Sequence, residues 1–124
     1  MRDRSWLRSR LRSFSFALGG IRYLVGTQVH AKLHALATVL AIALGAYCGI
    51  TRPEWLSVLI VIGGVWSAEA FNTAVEVLCD RLHPERDASI GIAKDLAAAG
   101  VLLMAIAAAA VGAVVFLPYL SGKP

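Results

Sequence analysis

Three observations predict that the chain is an all-α membrane protein, with three transmembrane helices behind an amphipathic surface helix. The first is composition. Of 124 residues, 58% are hydrophobic and only 16% charged, with a mean hydropathy of +0.69. A soluble domain carries nearer a quarter charged residues. The second is the division of the apolar residues into three long runs separated by short polar breaks. The third is charge segregation. Ten of the twelve cations precede the first run or lie between the second and third, leaving only Arg52 and Lys123 elsewhere. That asymmetry is the positive-inside pattern, with the amino terminus in the cytoplasm and the carboxyl terminus outside. It accounts for the net charge of +4 through topology and anionic lipid, so no nucleic-acid partner is implied.

The surface helix is expected over residues 5–18. Trp6, Leu7, Leu11, Phe14 and Leu18 recur at near-helical spacing, with Arg4, Arg8 and Arg12 four apart. An interfacial helix places its aromatic side in the acyl boundary and its guanidiniums at phosphate level. No compact apolar segment with a small-residue cleavage site follows, so no cleavable signal peptide is expected. Gly19-Gly20 and Gly26 offer corners leading into the bilayer.

The first span is expected at 33–50 and ends at Thr51-Arg52-Pro53-Glu54, where proline stops a helix. Trp55 anchors the second span, 55–80. The charged break Arg81–Asp87 must lie in water, and the third span runs over 92–118, with Pro118-Tyr119 at its far interface. Each run suffices to cross a hydrocarbon core of about 30 Å. Together they form a single domain, 1–124. Cys48 and Cys79 fall towards opposite faces, too far apart for a disulfide. The third span is rich in alanine and glycine around Gly100, and small residues let membrane helices approach closely. Three helices enclose a polar site poorly, so a homo-oligomer is expected.

Chemistry concentrates on the second span. Glu69, Asn72, Thr73, Glu76 and Asp80 follow at steps of three and four, one stripe on a helix. Carboxylates inside a membrane are costly and usually functional. Fourteen residues separate Trp55 from Glu69, about 21 Å of helix, so Glu69 falls towards the cytoplasmic side of the core and Asp80 near the headgroups. This gradient suits a reaction between a lipid hydroxyl and a water-soluble reagent. Ala93-Lys94-Asp95 opens the third span on the same side, where a lysine meets phosphate oxygens and an aspartate a magnesium ion. A hydrogen-bonded seam in a non-enzymatic protein, or a proton-coupled transporter, would also use such carboxylates. The crowding of polar groups at one face, with none expected in the outer half, argues against the transporter.

The run Ala68-Glu69-Ala70-Phe71-Asn72-Thr73-Ala74-Val75-Glu76, with Asp80 and then Ala93-Lys94-Asp95, resembles the signature of the bacterial diacylglycerol kinase and undecaprenol kinase family. The resemblance extends over nearly the whole chain. It implies a homotrimer of three-span subunits in the bacterial inner membrane that uses magnesium and ATP to phosphorylate a lipid alcohol. Diacylglycerol is the preferred acceptor, with undecaprenol as the alternative. By matching position, Glu69 is the implied general base and Asn72 touches the transferring phosphate. Glu76 holds magnesium, Lys94 binds the triphosphate, and Asp80, Glu85 and Asp95 support the nucleotide and its metal. Catalysis of phosphoryl transfer is mainly positioning and charge neutralisation, which fits such a set. No G-x-x-x-x-G-K-[ST] loop is present.

One stretch departs from the family pattern. Where members carry a metal-binding glutamate in a sequence like E-x-N-x-x-x-H, this chain has Gln28, His30 and His34. An amide oxygen coordinates magnesium without charge, so Gln28 implies a weakened metal contact. His30 and His34, four apart, have the spacing of a transition-metal pair but lack an evident third ligand; packing or a nucleotide contact is the competing reading. His34 matches the undecaprenol-type members.

Overall fold

The computed structural model describes residues 2–122, with side chains from Ser5 onward. Four helices follow in chain order: α1 (Arg2–Thr27), α2 (Val29–Cys48), α3 (Arg52–Leu82) and α4 (Ala88–Leu120). The last three are long and apolar enough to cross a membrane. This is a multi-pass membrane protein.

The surface helix expected over 5–18 is longer than its amphipathic stretch. It continues through Gly19, Gly20 and Gly26 to Thr27, so the glycines form no corner. A helical glycine costs only about 1 kcal/mol relative to alanine, and Ile21, Leu24 and Val25 continue the apolar pattern past the pair. The chain turns instead at Gln28, whose backbone is extended (φ −97°, ψ 124°). Trp6, Leu11 and Phe14 are exposed on α1, and the Arg10 guanidinium stacks 5.3 Å from the Trp6 ring centroid. Leu24, near the end of α1, is buried.

The spans also depart from the limits expected from hydropathy. The first begins at Val29 rather than residue 33 and stops at Cys48, because Gly49 adopts the left-handed conformation (φ 64°). The Gly49 and Ile50 N–H groups both donate to the Gly45 carbonyl, closing the last turn. α3 starts at Arg52 behind a capping box. Glu54 Oε2 accepts from the Thr51 N–H at 2.7 Å and from its hydroxyl at 2.9 Å, with Pro53 in the first turn. α4 starts at Ala88 because the Asp87 carboxylate caps it, accepting from Ser89 N at 2.8 Å and Ile90 N at 3.2 Å. These N–H groups, Ile90's above all, hold the Asp87 carboxyl below the usual aspartate range. The cap is therefore present at neutral pH and lost as pH falls through that lowered value. Pro118 lies within the last turn of α4, where the helix continues to Leu120.

The main apolar core lies where the α2–α3 turn meets the carboxyl-terminal end of α4. Ile50, Val58, Val115 and Phe116 are buried there, with Leu44, Trp55 and Tyr119 packed around them. The Tyr119 hydroxyl donates to Glu54 Oε2 at 2.7 Å, joining α4 to the start of α3. The half of the bundle around Glu54 and Tyr119 thus holds a polar network where none was expected, and it serves helix capping. Between the three spans runs a largely apolar cavity of about 300 Å³, with His34 and Thr38 towards one end and Phe116 towards the other.

Candidate functional site

α3 carries the acidic stripe, and its length governs how the stripe meets water. Its 31 residues rise about 46 Å, longer than a hydrocarbon core. The two ends of the stripe accordingly sit in different surroundings. Glu69, Asn72 and Thr73 are buried, Glu76 is half-buried, and the Asp80 side chain is 68% exposed.

At the buried end, Glu69 Oε2 lies 3.5 Å from Nε2 of His34 on α2. The glutamate side chain is 3% exposed and the histidine 18%. The imidazole is held edge-on to Trp66, with ring centroids 6.4 Å apart at 67°. Trp66 Nε1 donates to Thr38 Oγ1 at 3.0 Å, and Thr38 in turn donates to the His34 carbonyl at 2.7 Å. A turn further along α3, Asn72 Nδ2 donates to Glu76 Oε1 at 3.3 Å. Among the described residues, Asn72 Oδ1, Thr73 Oγ1 and His34 Nε2 are buried without a hydrogen-bond partner. Unpaired buried polar atoms are expensive and call for a reason, such as a ligand.

At the wet end, Lys94 Nζ donates to Asp80 Oδ1 at 2.7 Å across the α3–α4 turn. The lysine thus pairs with an aspartate fourteen residues away rather than with its neighbour Asp95, which is exposed. Asp80, Glu85 and Lys94 share the wall of a polar recess of about 440 Å³ with His83, Arg86 and Asp87. A recess with cations and carboxylates can receive a phosphate chain together with its counter-ion.

The structure therefore brings Asn72 to Glu76 and Asp80 to Lys94, and puts Glu85 in the same recess as the second pair. Gln28 precedes α2, and its side-chain amide donates to Thr27 Oγ1 at 3.3 Å. His30 is exposed while His34 faces Glu69, so the two do not act as a pair. Among the described residues no three His, Cys, Asp or Glu side chains are grouped to hold a metal. A magnesium ion carried on nucleotide phosphates needs only one or two protein carboxylates, however. Glu76, beside the unpartnered Asn72 Oδ1, fits that requirement. The His34–Glu69 contact was not foreseen. Its signal was a polar side chain within an apolar span, but the partner lies thirty-five residues away.

Comparison with known proteins bears on the family. The family model described as prokaryotic diacylglycerol kinase matches residues 15–116. The chain is 32% identical to the "Undecaprenol kinase" of Bacillus subtilis (strain 168) over 121 residues, covering 94% of this chain and 95% of the relative. The match takes in both the stripe on α3 and the Lys94 recess. With most of its length matched, the chain belongs to the prokaryotic diacylglycerol kinase family, a family of lipid kinases.

Proposed function

We propose that the protein transfers the γ-phosphate of ATP, with magnesium, to the hydroxyl of a long-chain polyprenol of the undecaprenol type. The similarity to an undecaprenol kinase along almost the full length of both chains carries this choice over diacylglycerol. In this reading the hydroxyl oxygen attacks the γ-phosphorus as the bond to the bridging oxygen breaks, and ADP leaves. Glu69 takes the hydroxyl proton. Its depth supports that role, since it lies about 10 Å further into α3 than Glu76, where an alcohol anchored by its chain is accessible. Asn72 contacts the transferring phosphate, and Glu76 takes the magnesium ion. Lys94 and Asp80 meet the rest of the triphosphate, with Glu85 and Asp95 at the rim. Magnesium supplies charge neutralisation on the phosphate oxygens.

The excess of cations around α1 and the α3–α4 turn supports a cytoplasmic amino terminus in the bacterial inner membrane. α1 then lies along the headgroups. The subunits associate as a homotrimer; a monomer with full turnover in mild detergent would overturn that. The test of the activity is incubation of purified protein with labelled ATP, magnesium and either undecaprenol or diacylglycerol in mixed micelles. Label is expected in the polyprenol, with less in diacylglycerol. Label in diacylglycerol alone would reverse the choice of acceptor, and no labelled lipid from folded protein would overturn the kinase reading.

A further inference from the structure

We propose that His34 is a positioning residue for the transfer: its Nε2 holds Oε2 of Glu69, which leaves the second carboxylate oxygen to receive the lipid hydroxyl. The inference rests on the kinase reading and extends it to a side chain on another helix.

Four observations carry it. The first is that Glu69 is 2% exposed, and no other side-chain hydrogen bond or ion pair reaches it among the described residues. A carboxylate in such a setting needs a polar neighbour to fix its orientation. The second is distance. At 3.5 Å the two groups are within ion-pair range but beyond a well-formed hydrogen bond, and His34 Nε2 is buried with no other partner. A shift of a few tenths of an ångström closes the contact, as catalytic hydrogen bonds commonly do when substrate binds.

The third is that the imidazole is fixed from behind. Trp66, on α3 three residues before Glu69, packs against the ring and reaches through Thr38 to the His34 backbone. Histidine and carboxylate are therefore registered by the same α2–α3 contact. The fourth is that His34 lines the cavity between the spans, which Glu69 does not, while lying 3.5 Å from the Glu69 carboxylate. A hydroxyl arriving along this wall meets the carboxylate already oriented, which is how support around a reacting group contributes to rate.

The test compares three substitutions in the full-length protein. His34→Gln keeps a donor of similar reach, His34→Leu removes it, and His34→Phe removes it while keeping a ring for Trp66. With undecaprenol and magnesium-ATP, His34→Phe and His34→Leu are expected to lower kcat tenfold or more. The KM for ATP should stay within twofold. His34→Gln should retain several times the turnover of His34→Leu. Adding His34→Leu to Glu69→Gln should slow the enzyme little further, because a positioning residue has nothing left to position.

A mere packing role predicts otherwise: the phenylalanine variant would be the best of the three, and the histidine and glutamate losses would multiply. Either result overturns the inference, as does equal turnover in the glutamine and leucine variants. Should the phenylalanine variant fail to assemble, the glutamine–leucine comparison decides alone. Wild-type protein that labels no lipid would sink the kinase reading itself. Active wild-type protein insensitive to His34 sinks this inference only.

Discussion

Glu69 and Glu76 share a helix face but have different neighbours, so their loss should have different consequences. Glu69 is buried beside His34, whereas Glu76 is half-buried and accepts from Asn72 towards the wet end. Glu69→Gln preserves volume but cannot take a proton, so turnover should fall by about 10²-fold or more. Nucleotide binding should survive. Glu76→Gln should instead weaken magnesium-nucleotide binding, with part of the rate recovered at high magnesium. Turnover and nucleotide titration on the same preparations check both. Equal loss of nucleotide binding in the two variants would mean that the stripe acts as one metal site. Near-normal turnover of Glu69→Gln would remove the base assignment.

At the scale of elements, the turn between α2 and α3 depends on the lack of a side chain at Gly45. A β-carbon there would lie 2.7 Å from Cη2 and 2.9 Å from Cζ2 of Trp55, with Ile50 Cδ1 at 3.1 Å. The indole is rigid and packs against the core, so it cannot yield as a flexible chain end would. Gly45→Ala should destabilise the protein by about 1–3 kcal/mol, the usual cost of overpacking, and lower its thermal transition in detergent. Gly63→Ala is the control, since a β-carbon there meets nothing within 4 Å of the same chain. Equal transitions for the two variants would mean that Trp55 has room to move.

The same scale explains what the sequence made legible. Apolar run length located the three spans, because a bilayer imposes that length directly. It missed their ends because the helices stop at local devices: Gly49 in the left-handed region, the Thr51–Glu54 box and the Asp87 cap. The stripe on α3 was readable because steps of three and four are local to one helix. Contacts between helices, His34 with Glu69 and Lys94 with Asp80, depend on helix rotation and on the path of the turns. No local pattern encodes these.

At the scale of the whole molecule, the separation of polar from apolar ends carries an orientation that can be measured. The recess around Asp80, Glu85 and Lys94 lies at the α3–α4 turn, while Thr51, Glu54 and Tyr119 meet at the other end of α3. ATP is cytoplasmic, so a kinase needs the first end inside. The ten cations around α1 and that turn favour the same orientation, since arginine and lysine in short loops resist translocation. The two arguments are independent: one rests on where the co-substrate is, the other on insertion. In a variant with Cys48 and Cys79 replaced by alanine, both single-cysteine probes should be informative, because Ser121 and Arg86 are exposed. Ser121→Cys should react with a membrane-impermeant maleimide in intact cells. Arg86→Cys should react only after the cells are opened. Labelling of Arg86→Cys from outside would put the recess away from ATP, and the kinase reading would then lose its co-substrate along with its topology.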